Sequence, residues 1–326
     1  MSIKLMKRAT FLCPTVTTGG PEAIHQVAQV LNEEGLPTDI AYYGDGGRLR
    51  LDGARLVVEQ PAENPCLEAY ARYRPVVSPG ALLRRHHLLV LPEVLAGSAP
   101  VFRGASVAVW WLSIDNAPIV ADPAALRLLL ADREVRHFTQ SAYAEDFLRR
   151  TGGRGSDPLG DYTDPRFAAL RPQAPNVVPG VAYNPAKGAE LADAFFAANP
   201  GLRGVPIRGM TKDEVADLLC STQVYVDFGH FPGKDRLPRE AAAGGAVVFL
   251  RRRGAGAYAE DFPVPDFFRF DEEDLASGEL ARRIAAVQSE PASFFAQQEP
   301  LRTAVQGEQE TLRAQVRALL GSRPAA

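Results

Sequence analysis

Short apolar runs alternate along this chain with stretches whose apolar residues recur every third or fourth position. Ala9–Cys13, Thr38–Tyr43, His87–Leu91, Ser106–Ile114 and Val135–Ser141 predict strands, the later ones buried on both faces. Between the first two, Ile24, Val27, Ala28 and Leu31 share one helical face, after a Thr17-Thr18-Gly19-Gly20-Pro21 loop and before a Gly35 stop. A helix through Arg150 follows the fifth strand. The pattern then breaks. Gly152, Gly153, Gly155, Pro158, Gly160, Pro165 and Pro172 crowd a polar stretch up to Asn176, read as an interdomain connection with a short helix near Phe167–Leu170. Alternation resumes with predicted strands at Val177–Ala182, Val205–Arg208, Gln223–Phe228 and Ala246–Leu250. The intervening helices are predicted at Lys187–Ala198, after a Thr211-Lys-Asp-Glu214 capping box, and at Arg239–Ala243. Two further helices, Leu275–Ser289 and about 292–320, close the chain.

Two successive βαβα halves predict an α/β protein. Its expected form is two Rossmann-like doubly wound domains, 1–172 and 173–326, facing across a cleft. The 326 residues suffice for both, and 46% hydrophobic with 23% charged residues is ordinary globular composition. A net charge of −3 argues against a generic nucleic-acid binder. Cys13, Cys66 and Cys220 are odd in number and widely spaced, and Cys13 and Cys220 fall in apolar or helical patterns that predict buried, reduced thiols. Neither CxxC nor HExxH occurs, so no metal-ligand cluster is visible. Lys4, Lys7 and Arg8 carry the charge of a signal peptide, but the apolar run after them stops at Pro14 and reads as a strand. No segment approaches the roughly 18 apolar residues of a membrane span, and a cytoplasmic location is expected.

Candidate chemistry falls in loops after predicted strands. Phe228-Gly-His-Phe-Pro-Gly-Lys-Asp-Arg-Leu-Pro-Arg-Glu240 leads from a strand into a helix and carries His230, Lys234, Arg236 and Glu240. Cations beside the free N–H groups of a helix start attract a phosphorylated ligand. As a plain alternative, Lys234, Arg236 and Arg239 are ordinary surface charges. Gly19 and Gly20 would let backbone N–H groups approach a phosphate, or form a simple turn. Lys187 precedes a helix, where its charge opposes the helix dipole unless an anion is near. Met210 and Thr211 offer an apolar side chain and exposed backbone to a flat base, or only a turn and a cap. Trp110 and Trp111 alternate faces, one for the core and one for the cleft. Asp115, at that strand's carboxyl end, could contact a sugar hydroxyl or cap a turn. The His86-His87 pair reads as structural or surface.

These loops together resemble the nucleotide-sugar-dependent, retaining glycosyltransferases of the GT-B fold. Tyr183-Asn-Pro-Ala-Lys-Gly188, Gly209-Met-Thr211, Val224-Tyr-Val-Asp-Phe-Gly229 and Pro238-Arg-Glu-Ala241 follow in that family's order, and Gly19-Gly20-Pro21-Glu22 is similar to its first donor-facing loop. The resemblance implies sugar transfer from a nucleoside-diphosphate sugar to a glycan or glycoconjugate acceptor, without a metal or other cofactor. It implies that Glu240 binds ribose, Lys187 and Arg236 the diphosphate, Gly19 and Gly20 its other side, and Met210 and Thr211 the base. Asp115 and His230 are the catalytic candidates. Eight residues before Glu240, where the family usually has an acid, stands Pro232. The tail helices would pack back on the first domain, and peripheral membrane association is compatible with such a role. A GT-B-like epimerase or hydrolase, and a non-catalytic sugar-nucleotide or glycan-binding relative, remain the alternatives; oligomeric state is not readable.

Overall fold

The computed structural model describes residues 3–44 and 47–321. The chain forms two compact units: residues up to Tyr162 joined by residues 309–321, and Thr163–Glu308. The division falls inside the Gly/Pro-rich stretch but before residue 172. Leu159 and Tyr162 are already buried in the first unit's core. Among the described residues no helix is long and apolar enough to cross a membrane.

In chain order the first unit runs β1 (Arg8–Pro14), α1 (Gly19–Glu33), β2 (Thr38–Tyr43), β3 (Arg48–Asp52), β4 (Arg55–Glu59), α2 (Pro65–Ala69), β5 (Ala81–Leu82), β6 (His87–Pro92), β7 (Ser106–Trp111), α3 (Pro123–Ala131), β8 (Val135–Thr139), α4 (Ala142–Arg150) and β9 (Asp157–Pro158). Its main sheet has the order β2-β1-β6-β7-β8-β9, with every pairing parallel. Successive side chains alternate between the two faces. Phe11 and Trp110 enter one core layer with α1, while Leu12 and Trp111 enter the other with α3 and α4. Both tryptophans are therefore core, and neither faces solvent. The Trp110 indole donates to the Leu159 carbonyl at 2.8 Å, and the Trp111 indole to His137 Nδ1 at 3.1 Å. A small antiparallel sheet, β3-β4-β5, was not anticipated.

The second unit runs α5 (Pro165–Ala168), β10 (Val178–Tyr183), α6 (Ala189–Ala198), β11 (Gly204–Pro206), α7 (Lys212–Leu219), β12 (Thr222–Asp227), α8 (Arg236–Gly244), β13 (Val247–Arg251), β14 (Arg269–Phe270), α9 (Glu272–Ala276), α10 (Glu279–Ser289), α11 (Pro291–Gln297) and α12 (Glu299–Leu320). Its sheet order is β11-β10-β12-β13-β14, again wholly parallel. The end of α12 groups with the first unit, where Leu312 and Val316 enter the core and Arg317 Nε meets Glu34 at 3.0 Å. Both units are thus doubly wound, Rossmann-like α/β folds.

Several polar residues find structural roles. His87 is buried and shares a hydrogen bond of 2.8 Å with the Thr10 hydroxyl; burial, reinforced by Arg8, lowers its pKa to about 4. Exposed His86 approaches the Leu5 carbonyl at 3.2 Å. Cys13 and Cys66 are buried; the Cys13 thiol donates to the Pro14 carbonyl at 3.5 Å and the Cys66 thiol to the Val16 carbonyl at 3.4 Å. Cys220, expected inside, is exposed, because it caps the solvent end of α7.

Candidate functional site

In a doubly wound sheet, the strand order reverses where two adjacent strands send their connections in opposite directions, and ligands bind beyond the carboxyl ends there. In the second unit that point lies between β10 and β12. The two loops that leave it are residues 184–188 and 228–235. They touch through their backbones. Gly188 has φ +75°, and a Cβ there would lie 2.5 Å from the Phe228 carbonyl oxygen. A Cβ on Gly229 would lie 2.7 Å from Lys187 Cβ. Glycine at both positions permits this approach.

The contact carries Lys187 across to the second loop, where Nζ lies 2.6 Å from Asp235 Oδ2. Lys187 directly precedes Gly188, the N-cap of α6, and Asp235 is the N-cap of α8. Neither cap uses a side-chain hydrogen bond. Two helix starts, each with unsatisfied N–H groups, therefore meet at one lysine–carboxylate pair. Asp227 ends β12 beneath them. It is buried and accepts from the Tyr225 hydroxyl and the Gly229 N–H, both at 2.9 Å. Burial, with the Asp235 charge adding, raises its pKa to about 6. Burial also raises Asp235, against the pull of Lys187. Tyr225 is pushed well up by burial and by the carboxylates of Asp227, Asp235 and Glu240.

Helix α8 begins at Arg236, earlier than the Arg239 start expected, so Arg236 and Glu240 lie one turn apart on a half-buried face. His230 is half-buried in the loop, and its ring packs against the place a Gly254 Cβ would occupy. Pro232 is buried. Lys234 turns elsewhere: its Nζ lies 3.2 Å from Glu308 Oε1. Arg239 is not a surface charge. It is fully buried, with Nη1 2.9 Å from the same Glu308 oxygen, and it donates to the carbonyls of Asp235 at 3.1 Å and Lys234 at 2.9 Å. The other Glu308 oxygen accepts from the Thr163 N–H and hydroxyl, each at 2.8 Å. Arg239 and Glu308 thus brace the loop from behind. Met210 and Thr211 follow edge strand β11, and Thr211 forms the expected capping box with Glu214.

In the first unit the strand order reverses between β1 and β6. Gly19 and Gly20 open α1 there; its N-cap, Thr18, makes no side-chain cap bond, and its carbonyl accepts from the Tyr70 hydroxyl at 2.9 Å. Opposite, at the end of β6, Glu93 is buried and accepts from the Leu112 N–H at 3.3 Å; burial raises its pKa to about 7. Asp115 lies beyond β7, exposed, accepting the Tyr143 hydroxyl at 3.0 Å. Ser141 caps α4.

Compared with solved structures, the chain aligns over nearly its whole length with glycosyl-transferring enzymes. Sucrose-phosphate synthase from Thermosynechococcus elongatus is 15% identical over 96% of this chain and 98% of its own, with a TM-score of 0.62. Anabaena HepE, solved with UDP-glucose, is 13% identical over 96% and 99%, with a TM-score of 0.62. A mutant of TarM from S. aureus, solved with fondaparinux, α-GlcNAc-glycerol and UDP, is 9% identical over 97% and 100%, with a TM-score of 0.65. The fold is that of the GT-B glycosyltransferases. No protein-family profile matches the chain, and no curated protein matches it in sequence.

Sequence reading missed Asp227, Asp235, Glu308 and Glu93. Asp235 and Glu93 had visible signals: an acid at a helix start, and an acid directly after an all-apolar strand. The partnership of Glu308 with Lys234 and Arg239 spans far too much sequence to be seen in any local pattern.

Proposed function

We propose that this chain is a glycosyltransferase that moves a sugar from a nucleoside-diphosphate sugar to a glycan or glycoconjugate acceptor, with retention and without a metal. The carrying observation is the Lys187–Asp235 contact, which gathers two helix starts at the strand-order reversal of the second unit. Departure of the nucleoside diphosphate builds negative charge on its phosphates. Lys187, Arg236 and the N–H groups opening α6 and α8 would stabilise that charge. Glu240, one turn into α8, would accept the ribose hydroxyls, and Met210 with Thr211 would line the base. The GT-B fold and its order of loops support this reading.

The test is calorimetry with UDP, ADP and GDP. At least one should bind, and Lys187→Ala and Glu240→Ala should each weaken it at least about tenfold while both variants still melt cooperatively. Equal affinity in both variants would remove the site. Pro232, in place of the expected acid, favours a second reading, nucleotide-sugar binding without turnover. Product analysis with and without acceptor separates transfer from hydrolysis and from binding alone.

A further inference from the structure

The second unit buries a guanidinium that it does not fully use. Arg302, one turn into α12, is 1% exposed. An arginine side chain has five N–H donors. Here Nε donates to Glu299 at 3.1 Å, and Nη2 donates to Glu299 at 2.7 Å and to the Phe295 carbonyl at 2.8 Å. The guanidinium carbon lies 3.6 Å from the centre of the Phe295 ring. Nη1 holds the other two N–H groups. It is buried and has no hydrogen-bond partner among the described residues. Buried donors are almost always paired, and a charged one left unpaired destabilises the fold. Burial accordingly lowers the Arg302 pKa.

Arg302 lines a groove of about 550 Å³ between the segment 171–175 and helices α11 and α12. That segment leads into the amino end of β10. Asn176 fastens it there, donating to the carbonyls of Leu219 at 2.8 Å and Thr222 at 3.0 Å. The groove therefore lies at the opposite end of the sheet from loops 184–188 and 228–235. Pro172, Ala174, Pro175, Ala292, Phe295 and Ala296 give it an apolar lining. Its charged lining residues are Arg171, Glu299 and Arg302. Glu299 already answers Arg302. Arg171 is exposed, donates to the Gln306 side chain and makes no ion pair among the described residues. One positive charge is left over, beside an unused edge of a buried guanidinium.

We propose that this groove binds a small organic monocarboxylate, its carboxylate accepting from Arg302 Nη1 with Arg171 at the rim and its apolar body resting on Phe295 and the prolines. The single surplus charge matches one carboxylate. A phosphate ester, with nearly two charges, would bring one uncompensated charge into a largely apolar groove. A neutral ligand would gain no charge-assisted hydrogen bond. The volume lies in the range of small-molecule sites. Because Nη1 is itself covered, binding includes a shift of the groove wall, and the mostly exposed segment 171–175 is the wall that can yield.

The test is calorimetry of the full chain with 2-naphthoate, its neutral match 2-naphthamide, and inorganic phosphate. Naphthoate should bind, naphthamide at least about tenfold more weakly, and phosphate not measurably. Arg302→Lys keeps the charge but loses the guanidinium fork, and should weaken naphthoate at least about tenfold. Two exposed positions decide the matter even if that variant fails to fold. Arg171→Ala should weaken naphthoate a few fold. Ala296→Trp, which fills the groove, should abolish its binding. Lys187→Ala should leave it unchanged, which separates this groove from the candidate nucleotide site. Absence of naphthoate binding overturns the proposal, as does equal binding of naphthamide or of phosphate. Naphthoate binding untouched in Arg171→Ala or in Ala296→Trp, or lost in Lys187→Ala, overturns it too.

Discussion

Burial keeps a proton on Glu93 up to about pH 7, against an ordinary value of 4.5. Between those limits the folded chain holds a proton that the unfolded chain has released, so stability falls as pH rises through the window. The shift corresponds to roughly 3 kcal/mol. Glu93→Gln keeps an acceptor for Leu112 and cannot ionise. Relative to the unmodified chain, it should gain about that much stability between pH 5 and pH 8, read from urea denaturation. A difference that does not move with pH would mean that Glu93 titrates normally. Asp235 yields a second test. Its carboxylate holds Lys187 where an anionic ligand would compete. If it acts only as that competitor, Asp235→Asn should tighten nucleoside-diphosphate binding a few fold, as calorimetry would show. Weaker binding would mean that Asp235 contacts the ligand itself.

At the scale of elements, the site depends on two loops lying closer than side chains allow. Gly188→Ala places a Cβ 2.5 Å from the Phe228 carbonyl in a left-handed backbone region, and Gly229→Ala places one 2.7 Å from Lys187. Both should destabilise by about 1–3 kcal/mol. Both should also weaken nucleotide binding, because the Lys187 stem must shift; paired melting and calorimetry would show the two effects together. The elements themselves were largely legible. The Thr211–Glu214 capping box, the apolar runs of β1, β6, β7 and β12, and the periodicity of α1 were read directly. Sheet β3-β4-β5 was not: Arg48–Asp52 does alternate charged and aliphatic residues, with Leu49 and Leu51 packed on the core, but the strand is only five residues long and its leucines are only half-buried. Arg239 was misplaced for a related reason. A residue's charge in the sequence says nothing about a buried carboxylate waiting for it.

Across the whole molecule, Glu308 is the last residue of the second unit and Thr163 the first. One carboxylate therefore holds the beginning of that unit, Lys234 of the candidate loop and the buried guanidinium of Arg239. Glu308→Gln leaves Arg239 without its counter-charge in a dry interior, which should cost about 3–5 kcal/mol. Hydrogen exchange should then quicken in β12 and α8 while the sheet of the first unit keeps its protection. Uniform quickening in both units would show that the network does more than brace one of them.

Local order along the chain was settled by the sequence itself. Apolar periodicity, helix caps and glycine-proline breaks act between neighbouring residues, and they suffice to specify strands, helices and two doubly wound halves. The pairing of Lys187 with Asp235, the burial of Arg239 against Glu308 and the protonated state of Glu93 were decided only by tertiary structure. Each depends on distance and desolvation between residues far apart in sequence, and a linear pattern contains neither.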